Sequence, residues 1–433
     1  MTNPMAAAHT QPAQLRDAFL VAWSALGVVL PCLAPNMGPI VLALSMVLPV
    51  LMADRSVLAQ RLVRIGPVMA VLAAIVLYLC LNLLIAPVSD NATGAIFTIA
   101  LAGLACHVCA SAFPGMSSRD LKLMARGLVI GCLLAGTFLA IEYISRMSLQ
   151  RAIQSFADAA HLRFVRITTG TWEQPSFAYL SRNLIVLVML MWGAFACARA
   201  SATPQVRQVI GPVLFLMVAG SALASPSATA KAGTFLGVVF WFLARRWTTV
   251  AARLVYAGWL IASLLCIPIA QLIHGLRLYD VVWINTSLRH RMMIWSASSE
   301  WYWQNPLFGL GIGGARKVNL NDGLNLAAFG IQGEPLNWHA HNIFVQAWFE
   351  TGAVGGVLLS LFGLVLLRAI FQLPEHVRAY AVATFVSIFV VGLTGFSLWA
   401  AWYLAGYGIA ALSILVVVFT NRQEPPLQGR GAG

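Results

Sequence analysis

The 433 residues predict an all-α polytopic membrane protein with about twelve transmembrane helices. Hydrophobic residues make up 60% of the chain and charged residues only 9%, and the mean hydropathy is +0.81. Apolar runs near the roughly 20 residues that a helix needs to cross a bilayer recur from end to end. Length alone would allow about two or three soluble domains; this apolar content argues against them.

Residues 1–14 are polar and hold no basic residue ahead of Arg16. The apolar segment that follows runs through Pro35-Asn36-Met37-Gly38 into a second one, which marks it as a spanning helix and not a cleaved signal peptide. The expected spans are 17–34, 37–53, 66–86, 94–113, 126–145, 180–198, 209–224, 232–244, 250–273, 342–367, 379–396 and 401–420. The eighth is short, and Gly352, Gly355 and Gly356 interrupt the tenth. The organisation expected is spans one to nine with short loops over 1–273, an outer segment with short helices over 274–341, spans ten to twelve over 342–420, and a disordered tail rich in Pro and Gly over 421–433. The chain has no internal repeat.

Charge orients the spans. Lys and Arg number 27 against 14 Asp and Glu, a net +13. Starting from a cytoplasmic N-terminus and alternating, 16 of the 27 fall on the inner side, and both termini are cytoplasmic. Most of the basic excess therefore reflects topology and calls for no nucleic acid. The other 11 are Arg146, Arg151, Arg163, Arg166, Arg182, Lys231, Arg277, Arg289, Arg291, Arg316 and Lys317, on the side where cations should be few. Such a cluster implies an anionic ligand met at the outer face. The seven cysteines all lie in apolar runs, where a disulfide would clamp no loop. Cys106-His107-Val108-Cys109 has no second ligand pair and sits within an apolar stretch, so a metal is not expected there.

The outer segment is long enough to be functional. Arg289-His290-Arg291 opens a stretch to Trp303 that reads as a helix at the membrane surface, its Trp residues suited to the interface. Its arginines either snorkel to lipid headgroups or clamp phosphate, whose oxygens match the guanidinium fork. The glycine-rich run from Gly309 to Gly314 has no Lys-Ser or Lys-Thr after it, so a tight turn packing this segment against the membrane domain is expected instead of a nucleotide loop.

The tenth span opens with Trp338-His339-Ala340-His341-Asn342 and continues through Gln346 to Glu350. Polar and ionisable residues at a spanning-helix start are costly and mark function, and a helix start also offers free amides to an anion. On a helix, His339 and His341 would diverge by about 200°, so they share a site only where the helix begins at or after them. Their spacing and the lack of a nearby carboxylate argue against zinc. A histidine taking a proton from a hydroxyl fits better. Arg163, Arg166 and Arg182 from the loop before span six, and Lys231 at the head of span eight, would complete a positive rim. At about 4 Å a cation–phosphate contact is worth roughly 4 kcal/mol before desolvation is charged against it. The acids form no Asp-x-Asp pair to hold a divalent ion, and no two outer acids are paired for glycoside hydrolysis. A lipid-linked diphosphate stabilised by Arg and Lys, without metal or cofactor, suits the pattern.

His341-Asn342, nine residues, Gly352, two residues and Gly355 resemble the signature of the O-antigen ligase family, within the O-antigen ligase and polymerase superfamily. Arg289 to Trp295 running into Pro306-Leu307-Phe308-Gly309-Leu310-Gly311, and the stretch 225–233, add to the resemblance, with Lys231 standing where relatives often carry Arg. The resemblance implies a GT-C-like fold of twelve membrane helices in a bacterial inner membrane, with a large periplasmic segment between spans nine and ten. It further implies inverting, metal-independent transfer of a glycan from undecaprenyl diphosphate to lipid A-core oligosaccharide. On that reading His341, with His339 as the other candidate, deprotonates the acceptor hydroxyl. Arg163, Arg166, Arg182, Lys231, Arg289 and Arg291 hold the diphosphate, and Asn342 and Trp295 support the site. An O-antigen polymerase or a protein O-oligosaccharyltransferase would share the donor, and a transporter of lipid-linked glycans would share the charge.

Overall fold

The computed structural model describes residues 10–88, 92–159, 177–316 and 339–420, and the regular structure among these is helical throughout. The first third comprises α1 (Thr10–Leu33), a 3-10 turn, α2 (Gly38–Ser45), α3 (Val47–Met52), α4 (Arg55–Leu62), α5 (Pro67–Ile85), α6 (Ala92–Ala112) and α7 (Ser118–Ile144). Then come α8 (Ser148–Ala159), α9 (Phe177–Ser201), α10 (Pro204–Ala224), α11 (Ala228–Arg246), α12 (Thr248–Leu264) and α13 (Cys266–Gly275). The segment after α13 contributes α14 (Thr286–Tyr302), and the chain continues with α15 (Ile343–Phe371), α16 (Glu375–Thr394) and α17 (Ala401–Thr420).

Two kinds of apolar helix result. The run Leu184 to Met191 of α9 is fully buried, as is most of α17, so these two helices form the centre. By contrast α5 is the most apolar helix and yet keeps Leu77, Leu81 and Leu84 exposed, as expected of side chains that meet lipid. Small residues set the closest approaches, because helices in lipid associate through packing and not through hydrophobic exclusion. A Cβ on Gly127 of α7 would come within 2.4 Å of the Val21 carbonyl on α1, and one on Gly131 within 2.6 Å of Ala25. Ser387 on α16 donates to the Gly233 carbonyl of α11 (2.9 Å) and accepts from the Trp192 indole of α9 (3.0 Å), joining three helices at one hydroxyl.

Ten described helical segments are long and apolar enough to cross a membrane. The expected ninth span is broken: α12 and α13 meet at 65°. Pro268 accounts for the bend, since its ring excludes the carbonyl four residues earlier, at Leu264, where α12 ends. The expected eighth span appears as the 19-residue α11, which carries Lys231 near one end and Arg245 and Arg246 at the other and is not among the ten. The expected tail 421–433 lies outside the described residues.

Contacts between helix ends sort the molecule into two faces. On one, Asp120 of α7 pairs with Arg16 (2.8 Å), the Asp54 amide donates to Gly115, and Arg126 donates to the Ser201 carbonyl (3.2 Å). On the other, Asn183 of α9 donates to the Leu33 carbonyl (3.1 Å), the Val88 amide to Leu310, and Thr229 of α11 meets Thr394 of α16 (3.1 Å). The second face carries the starts of α9, α11 and α15 and all of α14.

Candidate active site

A break in α15 organises the second face. Gly352 takes φ +65° and ψ −169° inside the helix, a conformation that a residue with a Cβ resists. The carbonyls and amides freed there are satisfied by the glycine-rich loop. Leu310 N donates to Phe349 O (3.1 Å) and Gly311 N to Glu350 O (2.8 Å), while Ala353 N donates to Pro306 O (2.8 Å). From α5, the Tyr78 hydroxyl donates to Thr351 O (2.5 Å) and the Asn82 amide to Phe308 O (2.7 Å). The loop, expected as a tight turn packing this segment against the membrane domain, is docked into the break of α15. A Cβ on Gly309 would lie 2.5 Å from the Glu350 carbonyl, which explains glycine at that crossing.

The two histidines sit just before α15, as the geometry of a shared site requires. Helix α15 begins at Ile343, and Asn342 caps it: its side-chain oxygen accepts from Phe344 N (2.9 Å) and Val345 N (3.2 Å). His341 adopts φ +52°, which folds it back over the turn, and its ring centroid is 4.1 Å from that of His339. The Trp295 indole of α14 donates to the Ala340 carbonyl between them (2.7 Å). His341 Nδ1 lies 2.8 Å from Gly395 O, at the end of α16. A carbonyl can only accept, so Nδ1 carries the proton and the lone pair of a neutral ring stays on Nε2. Burial pushes the His341 pKa below its ordinary 6.5. The bond to Gly395 opposes that shift, and the nearby positive charges of Arg291 and His290 reinforce it. Burial also lowers the pKa of the half-buried Arg291, and burial together with Arg291 lowers that of His290.

Of the expected cations among the described residues, Arg291 is the one whose charge acts on His341. Arg289, two residues earlier, donates through Nε to the Tyr279 carbonyl (2.6 Å) at the corner between α13 and α14. Lys231 is exposed on the first turn of α11, whose Thr229 touches the end of α16 next to Gly395. Arg182 is half-buried on α9, beside Asn183. Arg163 and Arg166 lie outside the described residues.

Sequence reasoning passed over several neighbours. His290 was seen only as the middle of Arg289-His290-Arg291. Gln346 and Glu350, polar residues in a span, mark function in the sequence without showing which role they take. Both are buried, and they meet the turn Gly395-Phe396-Ser397-Leu398-Trp399, which as sequence offers only small and apolar residues. Gln346 donates to Ser397 Oγ (3.1 Å) and accepts from Leu398 N (2.9 Å).

A family model described as O-Antigen ligase matches residues 212–360. Among curated proteins, "Putative polysaccharide ligase" of Rickettsia bellii (strain RML369-C) is 26% identical over 198 residues, which cover 45% of this chain and 48% of that protein. Two proteins with the same description, from Rickettsia conorii (strain ATCC VR-613 / Malish 7) and Rickettsia prowazekii (strain Madrid E), are each 25% identical over 208 residues. Those alignments cover 47% of this chain and 49% and 51% of the two relatives, so the chain spans about half the length of the curated relatives it matches. The matched residues 212–360 hold α14, the glycine-rich loop, the histidine turn and the break in α15, so the similarity to the O-Antigen ligase model falls on the site described above.

Proposed function

We propose that this protein is a glycosyltransferase of a bacterial inner membrane, an O-antigen ligase acting at the periplasmic face with both termini cytoplasmic. Counting α11 and the bent α12–α13 pair as spans, our reading of the topology has twelve crossings. The donor is a glycan on undecaprenyl diphosphate and the acceptor is lipid A-core oligosaccharide. The observation that carries this reading is the His341 turn: an imidazole with Nδ1 on a backbone carbonyl, a basic Nε2 and a depressed pKa, beside Arg291. The names of the Rickettsia relatives support the ligase class.

In the proposed reaction an acceptor hydroxyl gives its proton to His341 Nε2 while its oxygen forms a bond to the anomeric carbon of the donor. The bond from that carbon to the phosphate oxygen breaks in line, so configuration inverts. Undecaprenyl diphosphate departs with the electron pair. Arg291, Arg289, Lys231 and Arg182, with Arg163 and Arg166, stabilise the charge that grows on the leaving group, the part that a metal ion plays in other transferases. His339 packs on the His341 ring and Trp295 and Asn342 fix the turn.

Single-turnover assays of purified protein with an undecaprenyl-diphosphate-linked glycan test the reading against three acceptors: lipid A-core, a second lipid-linked glycan and a serine-containing peptide. Transfer to lipid A-core is the expected result. Transfer only to the second lipid-linked glycan would make the protein a polymerase, and transfer only to peptide a protein glycosyltransferase. No covalent product with any of them would contradict an enzymatic role.

A further inference from the structure

Glu350 is fully buried inside α15, and among the described residues no Lys or Arg pairs with it. Four neutral donors face its carboxyl group instead. Gly313 N (2.9 Å) and Ala315 N (3.3 Å) come from the glycine-rich loop, Gln346 Nε2 (3.4 Å) from one turn earlier, and the Trp399 indole N–H from the turn after α16. Gln346 continues the connection: it donates to Ser397 Oγ and accepts from Leu398 N, and Ser397 Oγ accepts from Trp399 N (3.2 Å). Two residues before Ser397 is Gly395, whose carbonyl holds His341 Nδ1. Hydrogen bonds thus run from the loop docked in the α15 break, through Glu350 and Gln346, to Ser397 and Leu398, and two residues of backbone join Ser397 to Gly395, whose carbonyl orients the histidine.

A buried carboxylate without a cation is expensive, and it persists where several donors converge on it. An apolar side chain here would leave the loop amides and the indole unsatisfied, at about 1–3 kcal/mol for each buried group. The donors come from three separate chain regions, and the carboxylate is the one atom group common to all. We infer that Glu350, with Gln346, is a positioning residue that sets the direction of the Gly395 carbonyl, and through it the tautomer and aim of His341. The inference rests on the functional reading above, since it supposes that His341 takes the acceptor proton. Neither residue needs to touch substrate.

The test compares wild type, Glu350→Gln, Trp399→Phe and His341→Ala in nanodiscs, with an undecaprenyl-diphosphate-linked glycan as donor and lipid A-core as acceptor. Glu350→Gln keeps the volume but turns an NH2 toward a donor, and Trp399→Phe removes one N–H and leaves the loop amides alone. Both should lower kcat tenfold or more while KM for the donor stays within threefold. Both should also move the acid limb of the kcat profile, because the His341 environment changes. Their effects should not add, since they break the same connection. If Glu350→Gln fails to fold, Trp399→Phe carries the same readouts. Wild-type kcat in either folded variant, or a loss of kcat with an unmoved pH profile and a lowered melting temperature, overturns the inference. If His341→Ala is inactive in the same experiment, that failure leaves the functional reading intact; full transfer by His341→Ala overturns both.

Discussion

At the scale of single residues, His341 unites a local peculiarity with a chemical one. Its left-handed backbone turns the ring toward Gly395, and the bond there makes Nδ1 the protonated nitrogen. A base must be neutral to act, so its pKa fixes the acid limb of the rate profile. Burial, with the Arg291 charge beside it, holds that pKa below 6.5, so more of the proposed base is neutral where a free imidazole would be half protonated. The acid limb of kcat/KM for acceptor should accordingly have its midpoint below about 6.5, the ordinary imidazole value. Arg291→Gln removes a positive charge that opposes protonation, so the midpoint should rise. A limb that does not move would separate Arg291 from the histidine. Arg291→Gln should also weaken the donor more than the acceptor, measured as separate KM values. How far this was legible from sequence differs by residue. The pair His341-Asn342 could be picked out because polar groups at the head of an apolar run have few structural excuses. Gly395 and Ser397 could not: they lie 54 and 51 residues from their partners, and only the tertiary fold shows which carbonyl a histidine meets.

Among the elements, α15 carries the most information. Three glycines pointed to an interruption, and the structure assigns it to one. Gly352 leaves the helix, while Gly355 and Gly356 stay helical and make room for Thr351 and Trp348. Periodicity cannot separate these roles, because a glycine tolerated in a helix and one that breaks it look alike in sequence. The difference lies in the loop that docks there: a Cβ on Gly352 would stand 2.3 Å from the Leu307 carbonyl. Gly352→Ala should therefore destabilise the protein by about 1–3 kcal/mol through backbone strain, and further through the clash. Thermal unfolding in detergent would register this as a lowered midpoint, whereas Gly27→Ala, inside α1 and meeting nothing within 4 Å, should not lower it. Equal midpoints for the two variants would mean that the loop is not seated in the break. The bend between α12 and α13 was legible in principle from Pro268, but hydropathy averages over such a residue and gives one unbroken apolar run over 250–273.

Over the whole molecule, the alternation of apolar runs and basic loops was the readable part, and it was readable because lipid imposes length and charge rules on every crossing. Convergence was not. Arg291 and His341 come from α14 and the head of α15, and nothing in their spacing says that they meet, or that His341 bonds to the end of α16. The orientation can be checked with cysteines introduced at exposed positions on opposite faces. Val282→Cys should react with a membrane-impermeant maleimide in intact spheroplasts, and Val63→Cys only after permeabilisation. The reverse pattern would put the histidine turn in the cytoplasm and end the lipid-diphosphate reading. The most direct test of the central claim is glycan transfer from undecaprenyl diphosphate to lipid A-core by purified His341→Ala beside wild type, with both shown to be folded and inserted. A general base supplies about 10² to 10⁴ in rate, so transfer by the variant should fall by at least that factor. Undiminished transfer would contradict the account.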